Sequence, residues 1–406
     1  MISKCKTWVL ALSLIYGATH AQRMSREEVV QAALKNNGRV RAAEYETEQA
    51  RHLKKAQADP GNFSVLLMRG QYNTIEQDNN LTLTQSLPFP TAWAAQARLG
   101  KEQWQGATRQ LALTRNDLAW EVKVAYEQLL YHTALHQLLL SQDSLFTDFV
   151  RAANARYAAG EGTLLEKTTA ESQQLETKNL LQQNQADLHI LQTRLQLLTQ
   201  SAAPVQPADI FQRRVPDAGV LENNPTLLLA HQQAIVSQAA LRVERQRFLP
   251  SLELGYFNQT LIGFQNTRGT ENFYDKDTRF QGFLLGLSFP LWWGPQAART
   301  KAAHAQYEAA QTRAAYSQLA VSQAYEEAHR EWQKNEASLS FFESSALQQA
   351  HLILTQARKA FRAGEIGYVE YLQSVRTALQ IRTQHLNALL QYNLSINKIE
   401  HLTGSY

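Results

Sequence analysis

From Gln296 to Ala363 the chain runs 68 residues without a Gly or Pro, and then meets Gly364. A continuous helix of that length reaches about 100 Å at about 1.5 Å per residue. Helices of compact domains run about 8–20 residues, so this is not the helix of a compact enzyme. The stretch has an earlier counterpart. Thr91–Ala159 holds no Pro and only Gly100 and Gly106, and it ends at Gly160. A chain that specifies one very long helix twice is built from two copies of an elongated unit.

Each copy opens with a shorter helical run. The first is Arg26–Ala58, interrupted by Gly38 and ended by Asp59-Pro60. The second is Pro225–Phe248, entered through Asn224 and ended by Pro250. Asn suits the cap of a helix and Pro its first position. Strand-like sequence follows each proline. Leu81, Leu83, Gln85 and Leu87 alternate with Thr82, Thr84 and Ser86. Leu252, Leu254 and Tyr256 alternate with Glu253 and Gly255, and Phe283, Leu285, Leu287 and Phe289 with Leu284, Gly286 and Ser288. This period of two, one face apolar and the other small or polar, predicts strand hairpins over 62–89 and 250–290. Each run approaches the roughly 9–11 residues that a tilted strand needs to cross a bilayer. The connections, Asn73–Asn80 and Leu261–Arg279, are polar. Pro88, Pro90 and Pro290 close the hairpins where a strand gives way to a helix.

Trp93, Trp292 and Trp293 stand just past these prolines. Aromatic residues there serve either as anchors at a membrane interface or as ordinary packing groups. The long helices, 91–159 and 296–363, each end in a Gly-containing turn. These are Arg156-Tyr157-Ala158-Ala159-Gly160-Glu161-Gly162 and Ala360-Phe361-Arg362-Ala363-Gly364-Glu365-Ile366-Gly367. Gly suits the left-handed position that ends a helix. Return helices 163–200 and 368–403 follow. The short helix 225–248 and the return helix 163–200 total 62 residues, close to the 68 of the long one. Residues 201–222, with three prolines, form a linker between the repeats 22–200 and 223–406.

The N-terminus predicts a secretory signal over 1–21. Lys4 and Lys6 precede the apolar run Trp8–Tyr16, and Thr19-His20-Ala21 offers a cleavage site. Cys5 is the only cysteine, so the chain beyond it forms no disulfide and no thiolate metal site. Net charge is +4, or +2 beyond residue 21, where 38 basic residues face 36 acidic ones. With no polybasic tract, nucleic acid is not an expected partner. Mean hydropathy is −0.39, and no stretch reads as a transmembrane helix.

His132 and His136 lie four apart on one helix face, a spacing that can hold a metal. No third ligand is evident nearby, so they read as an ordinary surface pair. No P-loop, G-x-S-x-G or H-E-x-x-H motif is present. The chain reads as no enzyme, with no cofactor and no catalytic residue. Ala- and Gln-rich helices that pack on two flanks suit a hollow helical cylinder or a soluble coiled-coil rod. The membrane-length hairpins favour the cylinder.

In this order, twice repeated, the elements resemble the TolC-like outer-membrane efflux proteins. The resemblance runs from Asn36-Asn37 and their counterparts Asn223-Asn224-Pro225 to Leu402-Thr403-Gly404. It rests on Leu249-Pro250-Ser251-Leu252, Phe289-Pro290-Leu291 and the two Gly turns. Gly38 stands in the first copy where the second has Pro225. The resemblance implies a mostly α fold with membrane β: a homotrimer whose four strands per chain close a twelve-stranded outer-membrane barrel, continued by a periplasmic helical barrel. It implies an exit duct working with a periplasmic adaptor (a membrane fusion protein) and an inner-membrane pump of the resistance-nodulation-division type. The chain looks closest to the heavy-metal cation branch. The rival reading is a soluble periplasmic coiled-coil scaffold or adaptor.

The resemblance also implies a gate just past the second turn. Glu370, six residues past Gly364, and Glu166, six past Gly160, are its candidates. Gln373 stands where a further acid is expected. Arg156, Gly160, Gly162, Gly364 and Gly367 are the candidate contacts to the adaptor.

Overall fold

The structure, a computed structural model, describes residues 22–57, 59–216 and 219–405. The expected signal segment, with Cys5, lies outside the described residues. The chain divides into two compact units that cut across the two sequence repeats. Of the described residues, a helical unit gathers those from 22 to 37, Leu118–Pro216 and Glu331–Asn397. A sheet unit gathers those between Gly38 and Asp117, from 219 to 330 and from 398 to 405.

In the helical unit, strand β1 (Gln22–Met24) leads into helix α1 (Arg26–Asn36). Ser25 and Glu28 form a reciprocal capping box there, which satisfies two amide groups that the helix start leaves without partners. The linker after the first return helix is not featureless. Its strand β4 (Val205–Pro207) pairs in parallel with β1, a pairing that three-residue strands do not announce in sequence. The Tyr126 hydroxyl lies 2.8 Å from the Met24 carbonyl oxygen and 2.9 Å from a carboxylate oxygen of Asp209. Burial and that carboxylate push the Tyr126 phenol up. Glu127 beside it is 1% exposed and sits 3.6 Å from the Arg214 guanidinium. Asn393 donates to its other oxygen at 3.2 Å, and Arg214 donates to Asn397 at 2.6 Å. A carboxylate this deep is tolerable because it has a cation and a hydrogen-bond donor.

Helices α3 (Pro90–Ala158), α4 (Leu164–Thr199) and α8 (Tyr368–Thr403) are uninterrupted. The expected helix 296–363 is interrupted. It runs as α6 (Trp293–Phe341), a π-helical turn (Phe342–Ala346) and α7 (Leu347–Arg362). The wide turn contains no Gly or Pro, so the breaker residues sought in sequence gave no sign of it. Arg213 of the linker brackets it, donating to Glu336 at 2.8 Å and to Glu343 at 3.2 Å. In the same unit, packing and hydrogen bonds order the helices α4–α3–α8–α7. His132 and Asn184 join α3 to α4, Asn393 and Glu127 join α8 to α3, and Phe361 stacks on Tyr371 to join α7 to α8.

In the sheet unit, α2 (Gly38–Ala56) and α5 (Pro225–Gln246) precede the two hairpins. The strands are β2 (Phe63–Gly70), β3 (Asp78–Leu87), β5 (Ser251–Gln259) and β8 (Phe280–Ser288), hydrogen-bonded as one antiparallel sheet in the order β2-β3-β5-β8. The connection 261–279, expected as a polar loop, carries a second hairpin of β6 (Gly263–Thr267) and β7 (Thr270–Tyr274). Asp78 is fully buried and accepts from Thr260 Oγ1 at 3.0 Å and the Ile262 amide at 2.9 Å, tying one hairpin to the other.

The register sorts the side chains by face. One face carries the rows Leu87–Leu252–Leu287, Phe63–Gln85–Leu254–Leu285, Val65–Leu83–Tyr256–Phe283 and Leu67–Leu81–Asn258–Gln281. The other carries Ser86–Glu253–Gly286, Ser64–Thr84–Gly255–Leu284, Leu66–Thr82–Phe257–Gly282 and Met68–Asn80–Gln259–Phe280. A Cβ at Gly282 would come within 2.7 Å of the Phe257 ring, so glycine there makes room for that ring. The first face is strongly apolar, yet Leu67 is 75% and Phe283 88% exposed.

Candidate functional site

The two turns of the helical unit have the same backbone. At the first, the Gly160 amide donates to the Tyr157 carbonyl and the Glu161 amide to that of Arg156. At the second, Gly364 donates to Phe361 and Glu365 to Ala360. Both are Schellman closures, and both glycines are left-handed, with φ of 74° and 75°. A residue with a Cβ is strained there. Gly162 is crowded instead of left-handed. A Cβ on it would lie 3.2 Å from Cβ of Arg156. Gly367 has open space around it. Arg156 turns back on its own loop, donating to the Glu161 carbonyl at 3.3 Å.

The candidate gate acids occupy equivalent positions. Glu166 is the third residue of α4 and accepts the Thr163 amide at 3.4 Å, while Thr163 Oγ1 accepts the Glu166 amide at 3.2 Å. Glu370 is the third residue of α8 and accepts the Gly367 amide at 3.1 Å. A carboxylate in the first turn satisfies an unpaired amide and complements the helix dipole. The spacing of six from each glycine therefore has a capping cause of its own. Glu370 and Gln373 are exposed and Glu166 is half-buried.

Behind the turns lies a feature that the glycine-led reading missed. Phe146, Phe149, Tyr368, Tyr371, Leu372 and Val375 form a buried cluster with Ala170 and Ala357. Phe361 stacks on Tyr371 at 4.6 Å, and Phe149 meets Tyr371 edge-on at 5.0 Å. The Tyr368 hydroxyl donates to the Phe149 carbonyl at 3.3 Å. Burial, and then the charge of Glu166, push the Tyr368 phenol up to about 12. The signal was available: residues 368, 371, 372, 375 and 379 follow helical spacing.

The other candidates lie apart from this cluster. His132 Nδ1 pairs with Asn184 Oδ1 at 2.7 Å, and His132 reaches Asp187 only at 3.8 Å. Among the described residues no three His, Cys, Asp or Glu side chains gather into a metal site. In the sheet unit, Trp93, Trp292 and Trp293 are 46%, 84% and 69% exposed. Trp293 donates to the Pro290 carbonyl at 2.8 Å. No described helix is long and apolar enough to cross a membrane.

One four-stranded antiparallel sheet with an apolar face and two closed helical hairpins make this fold similar to that of outer-membrane channel protomers. Residues 219–405 match the family described as outer membrane efflux protein. The chain is 22% identical over 350 residues to the cobalt-zinc-cadmium resistance protein CzcC of Cupriavidus metallidurans, covering 82% of this chain and 79% of that one. Its fold matches CusC with a TM-score of 0.77 at 16% identity, over 97% of this chain and 96% of the other. It matches the outer-membrane channel OprN at 0.77 and 19% identity, over 94% and 90% of the two chains. It matches the Campylobacter jejuni CmeC outer membrane channel at 0.76 and 16%, over 94% and 85%. Over residues 219–405 by sequence, and over nearly its whole length by fold, the chain is thus similar to the outer-membrane efflux proteins.

Proposed function

We propose that the protein is the outer-membrane exit duct of a tripartite efflux system. It conducts passively and hydrolyses nothing; an inner-membrane pump supplies the energy and a periplasmic adaptor joins the two. The observation that carries this reading is the sheet. It shows apolar rows on one face, mostly small or polar rows on the other, and edges at β2 and β8 with no strand partner among the described residues. Lipid tolerates no open edge, because no water satisfies the free amides and carbonyls. Four strands do not close a barrel, so further copies must. Three copies give the twelve strands that the family resemblance implies, with the helices continuing into the periplasm.

Within this duct, three copies of Glu370 form an acidic ring that favours cations, with Gln373 and Glu166 near it. The turn residues Arg156, Gly160, Gly162, Gly364 and Gly367 meet the adaptor. The three tryptophans anchor the protein at the lipid boundary. The likeness to CzcC, a cobalt-zinc-cadmium resistance protein, supports heavy-metal cations as cargo.

Detergent extraction, mass measurement of the oligomer and single-channel conductance in a planar bilayer test the reading. A conducting trimer is expected. A monomer that dissolves in aqueous buffer and carries no current overturns it in favour of the soluble scaffold.

A further inference from the structure

The second hairpin of the sheet unit, β6 and β7, is hydrogen-bonded as a sheet only to itself among the described residues. A lone two-stranded hairpin is marginally stable in water and needs something to pack on. One of its faces has that support. Tyr274, at the end of β7, meets the ring of Phe280 edge-on at 5.1 Å. Phe280 opens β8, and by register it stands on the mostly polar face of the four-stranded sheet, in the row Met68–Asn80–Gln259–Phe280.

The other face is bare. Successive side chains of a strand point to opposite sides, so Phe273 lies on the face opposite Tyr274. Phe264 is its cross-strand partner, and the two rings meet at 5.2 Å. Yet Phe264 is 72% and Phe273 60% exposed. Two adjacent phenyl rings make an apolar surface that the described residues leave uncovered.

In the exit-duct reading the polar sheet face lines the duct. Phe280 then points inward, and the hairpin leans on it from the duct side. Its aromatic face is turned away from the wall, toward the axis about which the copies are arranged. Hydrocarbon is no substitute partner, because the connection 261–279 carries Arg268, Glu271, Asp275, Lys276 and Asp277, and charges inside a membrane are costly. The dimensions agree. Twelve strands about 4.8 Å apart, tilted by about 40°, close a wall of about 12 Å radius. The two strands of the hairpin have five residues each. At about 3.3 Å per residue the hairpin reaches about 16 Å, enough to cross from wall to axis.

We propose that the β6–β7 hairpins of the assembled copies lean over the outer mouth of the duct and bury Phe264 and Phe273 against one another. They form a lid that must part for cargo to leave, and the occupant of each aromatic face is a second copy of this chain. The proposal rests on the exit-duct reading. It adds a closure built from the sheet unit, separate from the candidate gate at Glu370.

Cys5 is the only cysteine, so Cys5→Ser with Phe264→Cys leaves one thiol per copy, on the aromatic face. The full-length oligomer is extracted in detergent and oxidised with copper phenanthroline. A covalent dimer is expected on a non-reducing gel, since three copies hold one disulfide between two of them. Cys5→Ser with Ile75→Cys places the thiol on the first hairpin's turn, where Ile75 is 87% exposed, and should stay unlinked. In a planar bilayer the oxidised Phe264→Cys oligomer should lose most of its current and regain it on reduction. Phe264→Ser with Phe273→Ser should conduct more than the parent, because the apolar contact that closes the lid is gone.

A Phe264→Cys oligomer that never links, or links no more than the Ile75→Cys oligomer, overturns the proposal. So does one that conducts alike when linked and when reduced. The reduced form of the same oligomer shows that assembly is intact, so misfolding does not imitate the result. A trimer that conducts but never links removes the lid and leaves the duct, whereas a chain that extracts as a monomer removes both.

Discussion

Glu370 holds the amide of Gly367 at 3.1 Å as Glu166 holds that of Thr163 at 3.4 Å, the same bond in two copies of one turn. Any change at Glu370 therefore mixes two effects, loss of charge and loss of a cap. Glu370→Gln keeps an acceptor for the amide and removes the charge, and Glu370→Ala removes both. The Gln variant is expected to reduce cation selectivity, read as reversal potential in a bilayer, with the turn as stable as before. The Ala variant should lose selectivity and also about 1 kcal/mol of local stability, read by amide exchange at the start of α8. Unchanged selectivity in both removes Glu370 from the gate.

Tyr368 gives the turn region a pH limit. Its phenol is raised from 10.0 to about 12 in the folded chain, first by burial and then by Glu166. The folded state thus holds this proton more tightly than the unfolded one. The stabilisation is fully present below pH 10 and is lost as pH rises from 10 to about 12. Tyrosinate absorbance and amide exchange in α8 should change together over that window. Tyr368→Phe should flatten the exchange profile across it.

Arg214 and Glu127 test how much a buried pair contributes. Glu127 is 1% exposed and Arg214 19%. Arg214→Met takes a cation from beside this buried carboxylate and is expected to destabilise the fold, by up to about 3–5 kcal/mol. Adding Glu127→Gln should recover part of that loss, since the buried charge is then gone. Denaturant unfolding of the single and double variants measures both numbers, and a double variant no better than Arg214→Met contradicts the assignment.

Gly364 and Gly367 stand three apart but differ in what they tolerate. Gly364 has φ of 75°, so Gly364→Val forces a branched residue into the left-handed region at about 1–2 kcal/mol or more. Gly367 has no atom near a built Cβ, and Gly367→Ala should cost well under 1 kcal/mol. Proteolytic cleavage at the turn should accelerate in the first variant and not in the second. If Gly364 also meets the adaptor, efflux falls in the Val variant while the oligomer still forms.

Much of the architecture could be read from residue order because it is local. Gly160 and Gly364 mark left-handed closures, Pro88, Pro90 and Pro290 mark the strand-to-helix exits, and alternation from Leu81 to Leu87 marks a strand whatever its neighbours. The partner of each strand is not local. Only the tertiary structure joins β3 to β5, setting Leu83 beside Tyr256 and completing an apolar face across four strands. The π-helical turn at Phe342–Ala346, free of breaker residues, was likewise invisible, and so was the short pairing of Gln22–Met24 with Val205–Pro207.

The candidate site divides in the same way. Sequence located the turns and their acids, because capping and backbone chirality act within a few residues. It did not show that Phe149, Phe361 and Tyr371 meet, or that Asn393 reaches Glu127. Those contacts join residues distant along the chain, and helical period gives the face of each helix but not the neighbour it meets. Chain order thus determined the long helices, their closing turns and the alternation of the main strands. Packing decided which side chains share a core or a pair of charges, because burial and Coulomb energy depend on distance in space.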